Sequence, residues 1–218
     1  MDKKLIILGV GHVFDLEDKI RRIILEEEPD AIAIELDKER AMFIEKKENK
    51  KRFSFSFYYL LAKYQDNVAK KLGVELGKEM IVAMDIAKNK NIPIFYIDKK
   101  ANEIVSRLWN ELSFKEKILF LFGIFFSLFE NRRRIEEQLN EIKDRPNEFI
   151  NEMGIRFPKI KKILIDERDE HMANFMINLM EKYDKVIAIV GEGHVEGIKK
   201  IISNKKLNFE IIHLKNLL

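Results

Sequence analysis

Two kinds of apolar pattern take turns along this chain. Lys4 to Leu8 is a short continuous apolar run closed by glycine, which predicts a buried strand. Leu16 to Glu28 carries apolar residues at 16, 20, 23 and 24, a helical spacing that Pro29-Asp30 breaks. Ala31 to Leu36 predicts a second buried strand, Lys38 to Lys47 a helix, and Leu60 to Leu72 another. Gly77 to Asn89 reads as a helix with Met80, Met84 and Ala87 turned inward, and Ile92 to Ile97 as a third strand. From Ala101 to Phe157 only helical patterns occur. Pro158 then precedes a long helix over Lys159 to Tyr183. Lys185 to Val190 predicts a fourth strand, Val195 to Ser203 a helix, and Phe209 to Leu214 a final strand.

Strands alternating with helices imply βαβ units. The expected fold class is α/β: a central, mainly parallel β-sheet flanked by helices. A largely helical insertion, 101–157, stands between the third and fourth strands of a single α/β core formed by 1–100 and 158–218. A length of 218 residues suits one domain with something added. In such sheets the active crevice lies outside the carboxyl ends of the strands.

Composition narrows the chemistry. The 40 Lys+Arg and 37 Asp+Glu leave a net charge of only +3, which does not indicate a nucleic-acid binder. One basic run, Lys46 to Arg52, precedes Phe53, Phe55, Phe57, Tyr58 and Tyr59, as a stacking platform would require. It lacks the broad basic face that phosphate binding needs, so nucleic acid is disfavoured. With no cysteine, any metal must be held by histidine and carboxylate. The longest apolar stretch, Ile118 to Phe129, is too short to span a bilayer. It is apolar on every side, so it is buried, faces a second copy in a homodimer, or touches lipid peripherally. The N-terminal apolar run is too short for a signal peptide, so the expected location is cytoplasmic.

Two segments echo each other. Ile7-Leu8-Gly9-Val10-Gly11-His12-Val13 and Ile189-Val190-Gly191-Glu192-Gly193-His194-Val195 each join a strand to a helix through Gly-x-Gly-His-Val. His12 and His194 should therefore occupy equivalent places at strand ends, facing one crevice if the strands are neighbours. The competing readings are a plain tight turn and a phosphate loop. The dinucleotide fingerprint, however, needs Gly-x-Gly-x-x-Gly, and Phe14 stands where its third glycine belongs.

Carboxylates accompany the histidines. Glu35 and Asp37 stand two apart at the end of the second strand and should share a face. Arg40 is positioned to partner one of them, and a plain ion pair capping the next helix is the competing reading. In the long helix, Ile165, Arg168, Met172, Phe175 and Leu179 form one stripe, which buries an arginine among apolar residues. A buried guanidinium needs an anion, and Glu35 or Asp37 can supply it. Glu167 and His171 lie on an adjacent polar face at i,i+4 spacing, which favours a surface pair over a ligand role for His171. His213 reads as structural. Two histidines and a carboxylate from separate elements can hold a divalent metal ion, and nitrogen and oxygen donors suit Mn, Co, Zn or Fe.

The ordered set of motifs resembles the TraB/PrgY (pheromone shutdown) family. It comprises Gly9-Val10-Gly11-His12-Val13, Glu35-Leu36-Asp37 with Arg40, Gly77-x-Glu79-Met80, Ile97-Asp98, Glu167-Arg168-Asp169 with Met172-Ala173, and Gly191-Glu192-Gly193-His194-Val195-Glu196-Gly197-Ile198. That family is similar to the Tiki metalloproteases and to the erythromycin-esterase/ChaN-like fold. The resemblance implies a metal-dependent peptidase acting on a peptide or protein substrate. It implies a site of His12, Glu35 and His194, with Arg168 and Glu167 close by and Glu79 as a further member. Relatives usually read Asp-Arg-Asp after the third strand, where this chain has Asp98-Lys99-Lys100. Two functions are compatible with these residues. In one, His12 and His194 ligate a metal, Glu35 is a further ligand or the general base, and Arg168 holds a carboxylate or an oxyanion. In the other, the chain is a non-catalytic protein that sequesters a peptide or partner through the Phe-rich helix and the aromatic run.

Overall fold

The computed structural model describes residues 3–11, 14–46, 77–127, 133 and 145–218. Strand β1 (Lys4–Val10) leads into helix α1 (Glu17–Glu27), β2 (Ala31–Ile34) and α2 (Lys38–Lys46). Helix α3 (Lys78–Lys90) and β3 (Ile94–Tyr96) come next, and then α4 (Ala101–Glu111), α5 (Phe114–Ser127), α6 (Pro146–Arg156) and α7 (Pro158–Lys161). A π-helical turn, Lys162–Asp166, opens directly into α8 (Glu167–Lys182). The chain then runs through β4 (Lys185–Gly191), α9 (Glu192–Ile202), β5 (Phe209–Ile212) and α10 (Leu214–Leu217). The expected helix over 60–72, the basic run at 46–52 and the aromatic run at 53–59 fall on, or almost wholly on, residues outside the description.

The described strands form one five-stranded sheet in the order β3-β2-β4-β1-β5, with parallel pairing throughout. This is the expected α/β architecture. Both faces are covered, which explains why the strand sequences are continuous apolar runs and do not alternate. Successive side chains still point to opposite faces. Ile6, Leu8, Ile32 and Ile34 pack with α1 and α3, while Leu5, Ile7, Ala31 and Ala33 pack with α8 and α9. The sheet is thus the middle layer of three.

Local chemistry sets several boundaries. Helix α1 stops where Glu28 turns left-handed at φ 47°, just before Pro29. Helix α5 opens on a capping box: Ser113 N–H donates to Glu116 at 2.7 Å, and Glu116 N–H donates to Ser113 Oγ at 3.3 Å.

The long helix runs without interruption from Pro158 to Lys182, as expected, but it contains the π-helical turn at Lys162–Asp166. The buried stripe of α8 is Asp169, Met172, Ala173, Met176, Leu179 and Met180, so an aspartate joins the core side beside Arg168. For the Phe-rich helix the expectation left burial, a second copy and lipid open. Phe114, Ile118, Leu119 and Phe122 of α5 are exposed, so burial in the core does not account for them. No helix among the described residues is long and apolar enough to cross a membrane.

Candidate functional site

The sheet order brings the carboxyl ends of β2, β4 and β1 side by side. Residues just past β2 and β3, and on the helices beside them, carry the polar groups that a core should lack. Six charged or titratable residues are buried among the described ones: Glu35, Asp37, Glu79, Asp98, Asp169 and His194.

Glu35 comes directly after β2 and points to the α8–α9 side, as the alternation of β2 dictates. Its Oε2 accepts the Gly191 N–H at 2.6 Å, at the amino end of α9. Its Oε1 accepts from Arg168 Nη2 and lies 3.4 Å from His194 Nε2. A carboxylate at a helix amino terminus meets both unpaired N–H groups and the positive end of the dipole.

His194 sits in the first turn of α9, because that helix starts at Glu192, three residues earlier than the spacing suggested. Its Nδ1 lies 2.5 Å from Asp169 Oδ1. Burial and the helix terminus both oppose a charged imidazole. The Glu35 and Asp169 carboxylates outweigh them and hold the His194 pKa up at about 9. Burial pushes the Asp169 carboxyl up as well, so the pair keeps its proton tightly.

Arg168 is the hub on the other side of Glu35. Nε and Nη2 grip Asp98 in a bidentate pair, both at 2.9 Å, and Nη1 donates to Leu164 O within the π-helical turn at 3.1 Å. Burial opposes its charge, but Glu35 and Asp98 raise its pKa well above the ordinary arginine value. Asp98 passes the connection on to Arg40 Nη2 at 2.5 Å, and Arg40 Nε donates to Asp37 Oδ2 at 2.7 Å. Anion and cation alternate through seven residues: Asp169, His194, Glu35, Arg168, Asp98, Arg40 and Asp37. Such a network costs desolvation energy but specifies one arrangement when every member is satisfied. Among the described residues, no buried side-chain nitrogen or oxygen lacks a partner.

The expected site residues divide accordingly. Glu35, His194 and Arg168 come together. Asp37 does not meet Arg168. It accepts the backbone N–H groups of Arg40 (2.9 Å) and Ala101 (3.2 Å), so it caps α2 and α4 while pairing with Arg40. Burial opposes its ionisation, yet those hydrogen bonds and the Arg40 charge hold its carboxyl below the usual range. Glu167 turns away from the cluster towards Arg107 Nη1 (2.5 Å) and Lys99 Nζ (3.6 Å). His171 is therefore not the partner of Glu167. Its ring meets Phe175 edge-on, and burial together with Lys99 pushes its pKa down. Glu79 is buried in the first turn of α3, in the layer opposite α8. His12 lies outside the described residues. His213 donates to or accepts from Glu192 Oε1 at 2.7 Å, and Glu192 Oε2 accepts the Leu214 N–H at 2.8 Å, which ties the start of α9 to the end of β5.

Asp98 and Asp169 join the cluster although neither was an expected site residue. Asp98 carried a signal, since it stands just past β3 as Glu35 stands just past β2. Asp169 stood in the Glu167-Arg168-Asp169 motif without a role assigned to it, and Gly197 carried an indirect signal. A Cβ at Gly197 would overlap the Asp169 carboxylate, so this glycine makes room for it. Gly9 does the same for the Glu192 carboxylate.

The model of the TraB/PrgY/gumN family matches residues 1–207. The chain belongs to the TraB/PrgY/gumN family. It is also 32% identical over 213 residues to an uncharacterized protein of Methanocaldococcus jannaschii, covering 92% of this chain and 53% of that protein. The chain thus spans about half the length of the curated relative it matches.

A metal that such a site would use can be tested against the donors of this family member. His194 has Nδ1 fastened to a buried carboxylate, as in carboxylate–histidine–metal triads, and Nε2 facing the buried Glu35 carboxylate. Two donors at about 2.1 Å from one tetrahedral ion stand about 3.4 Å apart, and the Nε2–Glu35 Oε1 separation is 3.4 Å. Among the described residues no third His, Asp or Glu completes a metal cluster. The separation would let both donors reach one ion, but it is also that of a plain His–Glu ion pair, and a metal would need further ligands.

Proposed function

We propose that this protein is a metal-dependent hydrolase acting on peptides, with His194 and Glu35 at the reacting centre and His12 as the remaining protein ligand. The observation that supports the reading is the pair of contacts on one imidazole: Asp169 at Nδ1 and Glu35 facing Nε2. A divalent ion there would lower the pKa of a bound water and polarise a scissile carbonyl. Asp169 sets the tautomer that presents Nε2. Arg168 and the Gly191 N–H fix the Glu35 carboxylate, which either ligates or takes the proton of the attacking water. The alternating cluster keeps these groups in place before substrate arrives.

The test combines metal analysis of purified protein with a peptide-cleavage screen. Expected are about one Mn, Co, Zn or Fe per chain and hydrolysis lost in His194→Ala. Absence of divalent-metal binding, with wild type and His194→Ala equally inert, overturns it.

One observation favours a second reading, capture of a peptide without turnover. The exposed apolar side chains of α5 form a surface on which an amphipathic peptide could lie. Peptide binding that survives His194→Ala and is lost in Leu119→Asp, without turnover by the wild type, would select it.

A further inference from the structure

A cleft of about 710 Å³ lies beside the alternating cluster, outside the carboxyl ends of β2 and β3. Its size is that of a small-ligand site. Asp37 and Asp98 reach its wall but are answered from behind by Arg40 and Arg168. The remaining charges are unevenly matched. Lys100 pairs with Glu103 at 3.2 Å. Lys99 and Arg107, however, converge on the same oxygen, Glu167 Oε2. Lys38 and Glu39, which also line the cleft, carry opposite charges, so Lys99 and Arg107 on the one Glu167 carboxylate leave that end locally positive. His171 lines the same end; burial and Lys99 keep it neutral near pH 7, so it does not add to the charge but offers a hydrogen bond. Arg107 reaches Glu167 through Nη1, and a guanidinium carries five N–H donors in all. Ile104 and Ile163 supply an apolar wall next to these cations.

We propose that this cleft is a recognition subsite for a carboxylate-bearing peptide residue, with Lys99 and Arg107 holding the carboxylate and Ile104 and Ile163 receiving its apolar neighbour. The carboxylate is either an acidic side chain or a free C-terminus. The proposal rests on the peptide reading above only for the class of ligand, because binding here needs neither metal nor turnover.

The experiment measures fluorescence anisotropy of labelled hexapeptides in the presence of EDTA. Three probes are used: an amidated peptide with Leu-Glu at its centre, the same peptide with Leu-Gln, and the Leu-Gln peptide with a free C-terminus. At least one carboxylate-bearing probe should bind about tenfold tighter than the amidated Leu-Gln probe, the scale of a charge-assisted pair. Which one does so names the source of the carboxylate. The preference should vanish in Lys99→Gln/Arg107→Gln, where both side chains are partly exposed and the fold is spared. Glu167→Gln removes the competing carboxylate and should tighten carboxylate binding. Equal binding of all three probes overturns the proposal, as does a preference that survives the double variant. A failed metal or cleavage assay would sink the hydrolase reading and leave this result intact.

Discussion

His194 Nδ1 lies 2.5 Å from Asp169 Oδ1, and both side chains are almost wholly buried. This contact joins the first turn of α9 to the first turn of α8 and ends the alternating series of charges. It also gives Asp169 a role that its place beside Arg168 in the chain does not announce. Removing one partner of a buried pair leaves the other uncompensated, which costs about 3–5 kcal/mol. Asp169→Asn should therefore lower stability by an amount of that order, read by urea unfolding. On the proposed metal-dependent reading, Mn²⁺ affinity should fall about 10–100-fold, the scale for carboxylates behind ligating histidines, read by calorimetric titration. Unchanged affinity would remove Asp169 from the site.

Gly197 provides a steric test of the same contact. A Cβ there meets the Asp169 carboxylate, whereas a Cβ at Gly77 meets nothing within 4 Å. Gly77 sits at φ 76°, so Gly77→Ala carries only the cost of a left-handed residue, about 1–2 kcal/mol. Gly197→Ala should lose more stability than that, and on the proposed metal-dependent reading it alone should weaken metal binding.

Arg168 serves Glu35, Asp98 and a backbone carbonyl with one guanidinium. Arg168→Lys keeps the charge but cannot grip Asp98 in bidentate fashion while reaching the other two. Its unfolding free energy should drop by about 3 kcal/mol or more, since a buried carboxylate is left poorly matched. Arg107→Lys, at a half-exposed ion pair, should change stability by less than about 1 kcal/mol.

In EDTA the protein should respond to pH in two windows. The folded pKa of His194 stands at about 9 against an ordinary value of 6.5. Its contribution is fully present below 6.5 and is lost as pH rises through about 9. Asp37 is shifted the other way, so its contribution is present above the ordinary value of 3.8 and is lost as pH falls below it. Urea midpoints in EDTA should thus decline from pH 6.5 to 9. The decline should flatten in His194→Gln, and an equal slope in both proteins would refute the assignment.

Much of this protein is legible in its sequence alone. Continuous apolar runs such as Leu5 to Leu8 and Val186 to Val190 can be satisfied only by strands covered on both faces. The spacing at Ile20 and Ile24, or at Met80, Met84 and Ala87, can be satisfied only by helices laid against them. Burial also demanded an anion for Arg168. The tertiary structure alone decided which anion it would be. Sheet order sets Glu35 beside β4 and Asp98 within reach, 133 and 70 residues from Arg168, and local periodicity holds no information about such pairings. The packing of α8 against α9 decided the rest, for it alone brought Asp169 to His194, 25 residues further along the chain.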